Sequence, residues 1–74
     1  MTELMGMWAV TQSPSDYPGK FVARKWLIGI GTVAATAELH VEDTLDEVRD
    51  KLPRDLILIP RHPNDDPAIV ESWI

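Results

Sequence analysis

Apolar and polar residues alternate along much of this chain, and the period of the alternation shifts where the elements change. In TVAATAELHV, Val33, Ala35, Ala37, Leu39 and Val41 alternate with Thr32, Ala34, Thr36, Glu38 and His40. A period of two marks a half-buried strand, although the alanine content also allows residues 34–40 to be irregular or briefly helical. MWAVTQ (7–12) and FVARKWLIG (21–29) are β-favouring stretches, with SPSDYPGK between them as a loop ending in a Pro18-Gly19 turn. Gly29 and Gly31 permit a tight reversal into the next strand. LILI (56–59) is a continuous apolar run that predicts a buried central strand, and AIVESWI predicts a closing strand.

The period lengthens after residue 43. Thr44-Leu45-Asp46-Glu47 reads as a capping box, and Leu45, Val48 and Leu52 form an i, i+3, i+7 seam. Acids crowd the first turn, where the helix dipole favours them, and Pro53 ends the helix. Together these patterns predict a single α+β domain over residues 1–74. Its sheet is antiparallel or mixed, of four to five strands, with one helix (about 44–52) packed on one face.

One short helix covers one face of such a sheet. In residues 21–29 both parity sets are partly apolar: Phe21, Ala23, Lys25 and Leu27 on one side, Val22, Arg24, Trp26 and Ile28 on the other. The second face is therefore expected either to curl into a small barrel or to meet another chain, as a homodimer or partner surface that includes Trp26.

Composition narrows the function classes. The 74 residues include no cysteine, so there is neither a disulfide framework nor a thiolate site. The N-terminus lacks the pattern of a signal peptide, and the apolar runs WLIGIG and LILIP are too short to span a bilayer. A soluble, cytoplasmic protein is expected. The net charge of −5 is uneven: three cations stand against two acids in residues 1–37, and four against ten in residues 38–74. An acidic surface disfavours direct nucleic-acid binding.

Candidate chemistry is sparse. His40 and His62 are the only histidines; Asp65, Asp66 and Glu71 follow the latter, at a spacing that matches no strong metal-ligand pattern. Asn64-Asp65-Asp66-Pro67 reads as turn residues bonding their own backbone. Ser13, Ser15 and Ser72 stand outside any nucleophile-elbow context, and GIG at 29–31 lacks the rest of a dinucleotide fingerprint. No catalytic residue, metal or cofactor is assigned. Arg24, Lys25 and Trp26 form a basic-aromatic cluster, but neighbouring strand residues point to opposite faces, so the two cations are expected to pair with acids elsewhere.

The acidic patch is the sharper feature. Glu42, Asp43, Asp46, Glu47 and Asp50 fall within nine residues. Glu47 with Lys51 and Asp50 with Arg54 are supporting i, i+4 pairs, while Asp46 and Asp50 repel. Carboxylates one turn apart on a rigid helix suit a basic groove on another protein, as in a nucleic-acid mimic. The plain alternative is a solvated face.

The pattern Trp8…DYPGKFVAR…TLDEVRDKLP…DDPAIVESWI is similar to a group of small bacterial proteins with no assigned function. That resemblance implies an intracellular bacterial or phage origin and does not supply an activity. In size and acidity the chain also resembles phage-encoded inhibitors of host defence, including anti-CRISPR proteins. The expected function is a non-enzymatic protein-binding module that docks on a basic, nucleic-acid-binding partner through Glu42, Asp43, Asp46, Glu47 and Asp50, through Trp26, or both. The alternative is a small dimeric enzyme or ligand binder with an interface site using Arg61, His62 and Asp65.

Overall fold

The computed structural model describes residues 4–65 and 67–74. Its elements are β1 (Met5–Gln12), β2 (Phe21–Gly29), β3 (Thr32–Glu42), α1 (Leu45–Lys51), β4 (Leu58–Pro60) and β5 (Ile69–Trp73). The strands form one antiparallel sheet in the order β3-β2-β1-β5-β4, with α1 on one face. This is the expected α+β class, in its fully antiparallel form.

The core lies between α1 and the sheet. Trp8, Val10, Ala23, Val48 and Leu52 are buried there, with Phe21, Leu45, Leu56 and Trp73 packed around them. The helix forms where its cap and seam place it. Thr44 Oγ1 accepts from Glu47 N at 3.2 Å and donates to the Glu47 carboxylate at 2.9 Å. Glu47 thus holds the capping hydroxyl instead of reaching back to the cap amide. At the other end Leu52 N–H bonds Arg49 C=O before Pro53 stops the chain. On the sheet, Ala23 sits between Val10 and His40 in register. Its small side chain leaves room for Trp8 to stack on the His40 ring at 5.3 Å.

The β2–β3 hairpin turns on Ile30 and Gly31, and only Gly31 takes positive φ, at 69°. Type II geometry needs this at the second loop residue, where glycine carries no Cβ penalty. β3 does not keep a uniform register. Arg24 faces Leu39 and Trp26 faces Ala35, so β3 carries two extra residues against β2. Thr36 fills the gap: its hydroxyl donates to Lys25 C=O at 3.0 Å and accepts from Glu38 N at 3.1 Å.

LILI departs from the expectation of a buried central strand. Its C-terminal half opens β4, a three-residue edge strand in which all residues are exposed. Pro60 has no N–H to extend the ladder, which confines such a residue to an edge. The centre of the sheet is β1 instead, where Trp8, Ala9 and Val10 are consecutively buried.

Candidate functional site

The expected site residues fall on two separate surfaces. Trp26 is half-buried on the face of the sheet away from α1, whereas the acidic cluster surrounds the helix. Glu42 ends β3 opposite Phe21, on the helix side, and is half-buried. Asp43 forms an exposed ion pair with Lys20, whose ammonium is held protonated to higher pH by that hydrogen bond and charge. Asp46 is 95% exposed and lies 3.9 Å from Arg49. Glu47 is engaged with its cap, and Asp50 is exposed. Three of the five carboxylates therefore have partners within the chain. Among the described residues the two expected helix pairs, Glu47 with Lys51 and Asp50 with Arg54, do not form ion pairs; Arg49 reaches Asp46 and Glu71 instead.

Arg24 and Lys25 do diverge. Arg24 pairs with Asp16 and lies 6.0 Å from the Tyr17 ring, while Lys25 on the helix side pairs with Glu38 at 3.3 Å. The loop at 13–20 thus folds back onto the sheet face that carries Arg24. Its base is closed by Ser13 N–H bonding Lys20 C=O and by Gly19 N–H bonding Ser13 Oγ. Val22, beside Arg24 on the same face, is fully buried.

Beyond that loop the face lies open. Register places Met5, Ile28 and Val33 side by side across three strands. The next row runs Met7, Trp26, Ala35, and the backbone bonds between Ile57 and Ile74 extend it toward β4. Met5 is 52% exposed, Val33 68% and Ile57 68%. Residues 26–37 carry no charge at all. Sequence reasoning found Trp26 through its parity but missed these neighbours. Parity within one strand gives Ile28 as well; the partners on β1, β3 and β4 need the register.

The histidines serve local structure. His40 stacks on Trp8; His62 Nδ1 accepts from Asn64 N at 3.1 Å, and the Asp65 carboxylate accepts from His62 N at 2.9 Å. These are the turn bonds expected of this segment; Asp66 lies outside the described residues. Among the described residues no group of three or more potential ligands could hold a metal ion. A shallow cleft of about 320 Å³ lies beyond the helix C-terminus, between Leu52, Arg54, Leu56 and Trp73. A second, of about 410 Å³, is lined by Thr11, Ser13, Pro14, Ser15, Ala68 and Ile69. Neither brings a histidine to a serine or a carboxylate.

Among the described residues no helix is long and apolar enough to cross a membrane. Comparison with protein-family models, curated proteins and solved structures finds no match for the chain.

Proposed function

We propose that this chain is a non-enzymatic protein-interaction module that binds through the open face of its sheet, around Trp26. The observation that carries this reading is the asymmetry of the two faces. One is covered over its centre by α1; the other leaves Met5 and Val33 more than half exposed beside Ile28, one row from Trp26, and Ile57 exposed further across the sheet toward β4. Contiguous exposed apolar surface on a small domain marks an interaction site far more often than an isolated exposed side chain does. A half-buried tryptophan among methionines and β-branched residues also has the composition of an interface centre. The acidic helix supports binding less well, because Asp43, Asp46 and Glu47 already engage Lys20, Arg49 and Thr44.

A photo-crosslinking amino acid placed at Trp26, and separately at Asp46, tests the reading in cells producing the protein. Discrete adducts at position 26, with few at 46, are expected. Adducts at position 46 alone would move the binding surface to the acidic helix, and absence of adducts at both would remove the proposal.

A further inference from the structure

We infer that the occupant of the open sheet face is a second copy of this chain, packed face to face so that two sheets lie inside and the two helices outside. The inference rests on reading that face as the binding surface, and four observations select the partner.

The first is surface area. A folded monomer of 8.3 kDa exposes about 4,600 Å² by size scaling. This chain exposes 5229 Å², roughly 600 Å² above that scaling. The excess approaches the ~800 Å² that each partner contributes to a standard interface. The second is shape. The Cα radius of gyration is 12.3 Å, where about 11 Å is expected for this length. The extents of 40 × 26 × 23 Å describe an elongated body, drawn out along one axis.

The third is charge. A basic partner would find no free carboxylate among the strand residues of this face; its one ionic side chain, Arg24, is satisfied by Asp16 of the same chain. Two copies of an acidic protein repel wherever their acids meet, and this face is where they do not. The fourth is the LILI run. Leu56 packs on the core, while Ile57 and Ile59, of opposite parity, are 68% and 39% exposed. A continuous apolar strand suits burial on both faces; the core takes up Leu56 and leaves helix-side Leu58 43% exposed, so the run is most open at Ile57.

Both sheet edges are poor alternatives for association. β4 is short and ends at Pro60, and β3 is interrupted by the bulge at Thr36. Short edges, prolines and bulges are devices that prevent strand addition. The face is what remains.

Adjacent positions on β3 give a matched test. Val33 opposes Ile28 on the open face, and Ala34 opposes Leu27 on the helix-side face; both are exposed. Val33→Glu puts a carboxylate into the inferred interface, and Ala34→Glu puts the same charge on the same strand outside it. Sedimentation equilibrium over micromolar to sub-millimolar concentrations should show wild type and Ala34→Glu as dimers. Val33→Glu should dissociate at least about tenfold more readily, a difference of about 1.4 kcal/mol. Wild type remaining monomeric throughout overturns the inference without recourse to either variant, as does equal weakening by both. Adducts at position 26 to a different protein, with wild type monomeric, would leave the open face as a binding surface and remove only the second copy.

Discussion

Glu71 is the one buried charged residue among the described residues, and three N–H groups hold it. Arg49 donates from Nε at 3.0 Å and Nη2 at 2.5 Å, and Trp73 Nε1 donates at 2.5 Å. The network ties α1 to β5, so a charge inside a small core acts as a clasp between elements. The Arg49 hydrogen bond holds the Glu71 carboxyl below its ordinary value of 4.5, outweighing burial, which pushes the other way. A depressed folded-state value means the stabilisation is present above 4.5 and is lost as pH falls through the folded value. Glu71→Gln is therefore expected to lower unfolding free energy by about 1–3 kcal/mol at neutral pH, since Arg49 is partly solvated and the loss is screened. Urea unfolding at neutral and acidic pH checks the sign: the gap between wild type and variant should narrow on acidification. A gap independent of pH would mean that shape, not charge, accounts for the loss.

At the level of elements, α1 was the most legible in the sequence because its information is local. Thr44, the Leu45–Val48–Leu52 seam and Pro53 each act within one or two turns, and the structure uses each of them. Thr44→Ala removes the cap bond and should cost about 1 kcal/mol. In a domain this size that lowers the melting temperature by about 4–8 °C, read by thermal circular dichroism. The strands were legible as strands, but their order and exposure were not. A continuous run such as LILI states that both faces are apolar and says nothing about which neighbours lie beside it. Pro60 was the signal for an edge. The alanines of TVAATAELHV allowed irregularity over 34–40, but not the bulge as such: the Thr36 hydroxyl replaces a ladder bond, and no periodicity records that. For the candidate site, Trp26 could be placed on a face from parity alone, whereas its row with Met7 and Ala35 depends on pairings distant in the chain.

The whole molecule carries a net charge of −5, so any association between two copies brings like charges together somewhere. With the open faces joined, Glu42, Asp43, Asp46, Glu47 and Asp50 stay on the outer helix side, Asp16 on the inner side is paired with Arg24, and repulsion between the acidic clusters acts through solvent across the thickness of two sheets. Such repulsion is screened by salt, whose Debye length falls from about 10 Å at 0.1 M to about 3 Å at 1 M. Apolar burial is not weakened by that screening. Self-association should therefore hold or tighten as sodium chloride rises, and the melting temperature should increase with protein concentration, because only the folded state binds. Docking of Asp46 and Asp50 onto a basic partner would show the opposite salt dependence, since it gains from the attraction that salt removes. Thermal melts over a hundredfold range of concentration, each at low and high salt, thus separate the two surfaces in one experiment. A melting temperature that ignores concentration would return the open face to the monomer. A concentration dependence that weakens with salt would place the contact on the acidic side of the molecule, where Lys20, Arg49 and Arg54 of one copy could meet the carboxylates of another.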